Sequence, residues 1–499
     1  MPRKLPIFYS ALLLTGVNLL LRLVGTSFQV YLSASIGAAG IGLLQLVMSV
    51  GSLAMVAGMG GIRTATMYLT AEEIGKGKPK NVTWILSGCI LYSVSFSGTV
   101  AFCLYTFAPW IAENWIGNSQ TVDALRLFAS FLPVTCLCGV MTGYFTAANR
   151  IGTLAAVEMA EQLASMALTM GLLIFWAGHD AEKACLAVIL GSSLGAVLTM
   201  VSLILLRIVE RCVPGPKIPV GSRILQAAVP LAIGDDLKTG INTVENLMVP
   251  KRLALHTATE SPLAAFGLVS GMVFPVIMFP SAILFGLTEL LIPELARCNA
   301  AGHRRRIRYL VGKGLRAAFI FGIICCGLMY LLSDTLCLAL YKSTQAGKFL
   351  RWYALLVPML YCDILTDAMT KGLGQQKICV RYNILTAILD VVFLYLLLPH
   401  YGMEGYYLSF LVSHLINFVL SLRLLLKITG QALPIHIPCY GIAATVLGIW
   451  ASSFVPHPTL RATTFILILG NSLFLTGVLN RADLRWVLGL IRKNDLTKR

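Results

Sequence analysis

The chain has 499 residues, of which 57% are hydrophobic and 12% charged, and its formal net charge is +17. Soluble domains carry about 25% charged residues, so this composition excludes an ordinary soluble enzyme. The basic excess is confined to alternate connections between apolar stretches, so it reports membrane topology and not nucleic-acid binding.

A helix needs roughly 20 apolar residues to cross the hydrocarbon core. The sequence predicts fourteen such spans, at 6–32, 40–69, 82–107, 122–147, 152–177, 183–206, 224–250, 262–288, 309–333, 349–372, 379–398, 404–427, 435–455 and 462–480. The fold class is therefore an all-α polytopic membrane protein with 14 transmembrane helices. The first span follows Arg3 and Lys4 but is too long for a signal-peptide core and lacks a small-residue cleavage site, so it is expected to be retained. Even-numbered connections are basic, most strongly at Lys76, Lys78 and Lys80, at Arg207 to Arg223, and at Arg304, Arg305, Arg306 and Arg308. Odd-numbered connections hold only Arg126, Lys183, Lys251, Arg252, Lys342, Lys348, Arg351 and Arg461. The positive-inside rule then places both termini in the cytoplasm. The 13 cysteines lie mostly inside predicted spans, so neither a disulfide framework nor a zinc site is expected.

The chain repeats itself at an offset of 225 residues. Leu125-Arg126, Ala129 and Pro133 at the fourth span recur as Leu350-Arg351, Ala354 and Pro358 at the tenth. Gly42-Leu43 recurs as Gly267-Leu268, and Ala71 as Ala296, while Gly16-Val17-Asn18 has a near partner in Gly240-Ile241-Asn242. Six spans per copy is an even number, so both copies enter the membrane in the same direction and should be related by an axis along its normal, with a substrate site between them. The expected organisation is an N-lobe at 1–210, a Pro/Gly-rich cytoplasmic linker at 211–222 around Pro214-Gly215-Pro216, and a C-lobe at 223–430. Two further helices at 431–480 fall outside the repeat, and a basic cytoplasmic tail follows at 481–499.

Polar residues recur on single helical faces inside the apolar spans. Span one carries Asn18, Arg22, Gly25 and Gln29, and its repeat partner, span seven, carries Asp235, Lys238, Asn242 and Glu245. A charge at mid-membrane costs about 2.5–3.5 kcal/mol unless it pairs or meets water. Asn18, Arg22, Gln29, Lys238, Asn242 and Glu245, with Arg252 at the end of span seven, are therefore the candidate substrate-binding residues. Asp235, Asp363, Asp367, Glu158 and Glu161 are candidate cavity or coupling residues, although Asp235 and Lys238 are spaced to neutralise each other; Asp363 and Asp367 stand one turn apart, with Lys371 one turn further on. Snorkelling accounts for Arg63 as well as function does. Ser409, Ser413, Asn417 and Ser421 form an i,i+4 stripe that reads as helix–helix glue. Gly58, Gly60 and Gly61 read as close helix packing, since no strand precedes them. No enzyme signature is present, and the outer connections are too short to form a catalytic domain.

Two six-helix lobes plus an extra helix pair resemble the multidrug/oligosaccharidyl-lipid/polysaccharide (MOP) superfamily. The likeness is greatest to stage V sporulation protein B and related polysaccharide-biosynthesis membrane proteins, and extends more distantly to lipid II flippases. It rests on Ala71-Glu72-Glu73, Gly75-Lys76-Gly77, Val249-Pro250-Lys251-Arg252-Leu253, Phe279-Pro280-Ser281-Ala282 and Leu291-Ile292-Pro293-Glu294-Leu295. The resemblance implies a bacterial inner-membrane flippase that moves a polyprenyl-diphosphate-linked saccharide outward by alternating access. It also implies that cationic side chains hold the diphosphate and that the two extra helices form a groove for the lipid tail. Arg22 matches the first-helix arginine of lipid II flippases, whereas Phe28 stands where a second arginine is expected. Membrane lipids and envelope-synthesis enzymes are the expected neighbours, nucleic acid is not, and no cofactor is expected beyond Na+ or H+ as coupling ion. The excess of intramembrane acids over bases suits a cation-coupled multidrug antiporter as the alternative, and a non-transporting scaffold for envelope synthesis is a further one.

Overall fold

The computed structural model describes residues 7–76, 78–148, 150–177, 180–209, 219–256, 261–431 and 436–479, and these form helices and short connections. Residues 210–218 of the predicted linker and the predicted basic tail lie outside them, as do the side chains of Asn18 and Arg22. The helices are α1 Ile7–Met59, α2 Ile62–Gly75, α3 Val82–Ile111, α4 Val122–Ala147, α5 Ile151–Leu172, α6 Ala181–Val209, α7 Gly221–Leu253 and α8 Pro262–Gly267. They continue as α9 Phe274–Met278, α10 Ala282–Ala300, α11 Arg304–Tyr341, α12 Thr344–Ala354, α13 Val357–Gly372, α14 Gln376–Thr429, α15 His436–Ser453 and α16 Pro458–Leu475.

Among the described residues, eight helices are long and apolar enough to cross a membrane, or ten if two bent helix pairs each count as one span. Two of the eight are far longer than a bilayer requires, at 52 residues for Leu23–Ile74 and 54 for Gln376–Thr429. At 1.5 Å per residue the longer one would extend about 80 Å against a hydrocarbon core of about 30 Å. Each is broken at a glycine, Gly37 (φ 71°, ψ 178°) or Gly402 (φ 55°, ψ −132°), in backbone regions that residues with a Cβ rarely adopt. The fourteen predicted spans count each of these as two and add α7 and α15, which carry too much charge or too little length to pass on composition alone.

The chain forms two compact units, residues 1–275 with 387–409, and residues 276–386 with 410–499. These boundaries differ from those of the sequence repeat, because α7 belongs to the unit built by the first copy. The core of this unit contains Ile62, Leu69, Ile85, Cys89 and Phe145 from α2, α3 and α4, and also Ile224 and Ala228 from α7. In the second unit α15 and α16 pack on α11 through Phe465, which is fully buried with Ile323, Leu469 and Leu473. Phe465 fits against Gly327 of α11, where any Cβ would overlap its ring.

Two features of the repeat are visible inside single units. In the first unit the equivalent glycines of the two copies abut. A Cβ on Gly42 would overlap the carbonyl oxygen of Leu263, and one on Gly267 would overlap that of Ala38. Since Leu263 is the repeat equivalent of Ala38, contact i to j is matched by contact j to i, as a twofold axis demands. The second feature occurs once in each unit. The Arg126 guanidinium lies 5.2 Å from the ring centroid of Tyr105, and that of Arg351 lies 5.9 Å from the ring of Tyr330. Tyr330 follows Tyr105 by the same offset of 225 residues that relates the two arginines.

Candidate functional site

α7 positions most of the candidate residues. Asp235, Lys238 and Asn242 are exposed along one side of it, while Glu245, one turn further, faces protein. The Glu245 carboxyl is joined by a side-chain hydrogen bond to Asp390 of α14. The Ser409 hydroxyl donates to Asp390 Oδ1 at 2.6 Å, and Asp390 is only 5% exposed. A hydrogen bond between two carboxyl groups requires a proton on one of them, because an ionised carboxylate only accepts. Two buried acids in contact also resist being ionised together. The arrangement can therefore exchange a proton, or take a small cation in its place. Asp390 was not among the sequence candidates. Its one signal is that it is the sole charged residue between Arg381 and His400.

Another face of α7 lines a cavity of about 800 Å³, also within the first unit. Gly240, Thr243 and Leu247 face Ile388, Val392 and Tyr395 of α14 across apolar walls. The polar groups sit near its ends. Asp236 lines one part, and one of its carboxylate oxygens is buried without a hydrogen-bond partner. Lys251 and Arg252 line the other, about 22 Å further along the helix at 1.5 Å per residue. Arg252 stacks on Tyr395, with its guanidinium 3.2 Å from the ring centroid, and Lys251 donates to the backbone carbonyl of Asn114. The arrangement offers an apolar volume with a cationic end, and brings Arg252 into it while leaving Lys238 outside.

The remaining candidates divide between the units. In the first, Gln29 Nε2 donates to the carbonyl of Gly271 at 3.3 Å, joining α1 to the start of the eighth span. Glu161 accepts from the Thr199 hydroxyl at 2.6 Å, and Glu158 lies within the field of Arg63 and Glu161. Gln162 Nε2 donates to the Leu21 carbonyl at 3.1 Å, so the polar face of α5 meets α1 one residue before Arg22. In the second unit Asp367 pairs with Lys371, one turn further on, at 2.6 Å. Asp363 accepts from Asn417 at 3.3 Å and keeps a second oxygen buried without a partner. The Ser409–Ser421 stripe thus supplies partners for two intramembrane acids, Ser409 for Asp390 and Asn417 for Asp363.

The start of α7 carries a cluster that the sequence candidates did not include. Arg223 divides its guanidinium between adjacent acids of α2, with Nη2 2.9 Å from Glu72 Oε2 and Nη1 2.9 Å from Glu73 Oε1. The other oxygen of each acid has its own partner. Glu72 Oε1 lies 2.5 Å from Lys76 Nζ, and Glu73 Oε2 accepts from Asn81 at 2.9 Å. These contacts hold Glu72 below the usual carboxylate range, chiefly through Lys76 and then Arg223, and hold Glu73 below it chiefly through Asn81. The available signal was the pair Glu72-Glu73 itself, but its partner is 150 residues away in sequence.

A family model described as polysaccharide biosynthesis protein matches residues 8–222, and one described as MatE matches residues 247–396. Stage V sporulation protein B of Bacillus subtilis (strain 168) is 22% identical over 444 residues, covering 85% of this chain and 84% of its own. Among solved structures, the lipid II flippase MurJ in an inward closed conformation superposes with a TM-score of 0.68 at 14% identity, covering 92% of this chain and 98% of its own. The Vibrio cholerae MATE transporter VcmN in its bent form gives 0.58 at 18% identity, covering 84% and 96%. Of these, the two solved structures are a flippase and a transporter by name. Taken with the helical architecture and the repeat, these likenesses show a chain that resembles polysaccharide-biosynthesis and MatE proteins over successive stretches and has the fold of the MurJ and MATE structures.

Proposed function

We propose that the protein moves a polyprenyl-diphosphate-linked saccharide from the cytoplasmic to the outer leaflet of a bacterial inner membrane by alternating access. The observation that carries this reading is a groove of about 780 Å³ in the second unit, formed by α11, α13, α14 and α15. Its walls are apolar, with Phe319, Ile323, Phe418, Leu422, Ile442 and Ile449 among them, while Arg308, Lys313 and Arg316 line the end nearest the start of α11. An apolar groove with cations at one end suits a hydrocarbon tail with an anionic head. Chain coverage points the same way, since the MATE structure matches almost all of its own length but leaves more of this chain unmatched than the flippase does. Arg22, Arg252 and their polar neighbours would hold the diphosphate, for which a guanidinium gives bidentate and permanent charge. The carboxyl pair Glu245–Asp390 would take the coupling ion, H+ or Na+.

That same pair favours a second reading, a cation-coupled antiporter, in which acids and not arginines govern the cargo. Reconstitution separates the two. Proteoliposomes supplied with labelled lipid-linked saccharide should show outward movement that Arg22→Ala abolishes and Arg22→Lys retains in part. Full movement by Arg22→Ala removes the diphosphate role of this residue, and cation-driven export of a soluble drug in place of the saccharide supports the antiporter.

A further inference from the structure

The Arg223 cluster joins the two copies of the repeat at the cytoplasmic side, since α2 closes the second span and α7 opens the seventh. Both helices lie in the same compact unit, so this contact belongs to one packed body. Ile224 and Ala228 bury the first turns of α7 in the core formed by α2 and α3. The close approach leaves no room at Gly88 of α3, where a Cβ would crowd Val220 and Ile224. A passage between the first and second copies at this face requires α7 to move away from α2, and Arg223 must then leave both acids.

The partners are arranged so that only Arg223 would lose by this. Glu72 retains Lys76 and Glu73 retains Asn81, each through the oxygen that Arg223 does not use. Neither acid is stranded when the guanidinium departs, although Glu73 has a side chain only 4% exposed. Arg223 has no corresponding second partner among the contacts seen, and its side chain is 32% exposed, within reach of the cytoplasm. A guanidinium shared by two carboxylates is geometrically prepared for a second dianionic group, because two oxygens of a diphosphate can occupy the same fork.

We propose that Arg223 is an anion-exchange latch: a diphosphate arriving from the cytoplasmic leaflet replaces Glu72 and Glu73 on its guanidinium and so releases α7 from α2. The latch rests on the cargo reading above for the identity of its anion, but not for its mechanical role. It makes opening conditional on the cargo, since without a replacing anion the arginine gives up two partners and gains none. The carboxylates are competitors for the cargo, and this gives the proposal its sharpest consequence. Removing them should strengthen anion binding, whereas a purely structural ion pair would weaken it or leave it unchanged.

The experiment uses the full chain in lipid nanodiscs, with farnesyl diphosphate as the probe and farnesol as the uncharged control. In the wild-type protein, farnesyl diphosphate should raise amide hydrogen exchange across residues 71–82 and 219–226 several-fold, while farnesol leaves it unchanged. Arg223→Gln should show raised exchange without the probe and no further response to it. The pair Glu72→Gln with Glu73→Gln should bind farnesyl diphosphate at least fivefold more tightly than the wild-type protein. Unchanged or weaker binding by this double variant, with an unaltered melting temperature, overturns the exchange, and so does unchanged exchange in Arg223→Gln. If the double variant is unstable, Glu72→Gln alone provides the same comparison, because its acid is the more exposed one. Should proteoliposomes move no lipid-linked saccharide while the binding gain holds, the cargo reading falls and the latch stands. Movement of the saccharide without any binding gain overturns the latch and leaves the cargo reading intact.

Discussion

At the scale of single residues, the candidate functional groups are charges that have been buried and given a specific partner. The side chains of Glu245 and Asp390 meet, and Ser409 fixes the orientation of the second acid. If this pair carries the coupling ion, Asp390→Asn should abolish the dependence of transport on the ion gradient while leaving the protein inserted. Asp367→Asn should change transport less than twofold, because Asp367 is already committed to Lys371; equal damage from both substitutions would remove the special role of the pair. The Arg223 cluster predicts a pH dependence of definite sign. Glu72 and Glu73 are held below the usual carboxylate value of 4.5, so the closed latch is favoured above that value and weakened as pH falls through their lowered values. Lys76, Asn81 and Arg223 are the groups that face these acids. Amide exchange of residues 71–82, corrected for intrinsic rates, should therefore be flat from pH 8 to about 5 and rise below it, and Arg223→Gln should remove the rise. Both clusters were only half legible in the sequence. Glu245 and Glu72-Glu73 stand out from their surroundings, but their partners lie far along the chain, and Asp390 sits in an apolar run with no periodic companion to mark it.

At the scale of elements, most of the architecture follows from local chemistry, and the exceptions have physical causes. The apolar spans are readable because a bilayer forces each helix to satisfy its own backbone and to present hydrocarbon over a fixed length. The repeat was readable from Pro133 and Pro358 and from Gly42 and Gly267, yet the recurrence of Tyr105 at Tyr330 has meaning only once each ring is seen beneath its arginine. The division into compact units was not readable at all, since the attachment of α7 to the first copy depends on Ile224, Ala228 and Arg223 meeting partners far away in sequence. The close crossing of Gly42 and Gly267 makes a direct prediction. Gly267→Ala should destabilise the protein by about 1–3 kcal/mol through overpacking. Gly98→Ala in α3, where no atom lies within 4 Å of the added Cβ, should be neutral or slightly stabilising. Thermal unfolding of the two variants in detergent provides the comparison, and equal melting temperatures would refute the crossing.

At the scale of the whole molecule, α15 and α16 are the helices that fall outside the sequence repeat. The two copies supply the twofold contact at Gly42 and Gly267 without any residue of α15 or α16. The pair instead packs on α11, where Phe465 fills the notch at Gly327, and Arg316 donates to the carbonyls of Gly477 and Val478 beyond α16. In water, exposing Phe465, Leu469 and Leu473 would be severely destabilising, but in a bilayer lipid tails are as apolar as the side chains they replace. What truncation removes is packing and one wall of the α11–α15 groove, in which Ile437, Ile442 and Ile449 belong to α15. Each buried CH₂ contributes roughly 0.8 kcal/mol to holding a hydrocarbon chain away from water, so long and short tails should respond differently to loss of that wall. A chain ending after about Gln431 is therefore expected to insert and remain folded, to bind farnesyl diphosphate with less than a threefold loss, and to lose movement of native-length lipid-linked saccharide. Insertion can be followed by a reporter that reads cytoplasmic after Arg306 and external after Lys183, as the alternating basic loops require. Normal movement of the native-length lipid by the truncated protein would refute the groove, and failure to insert would show that α15 and α16 are needed for the fold itself.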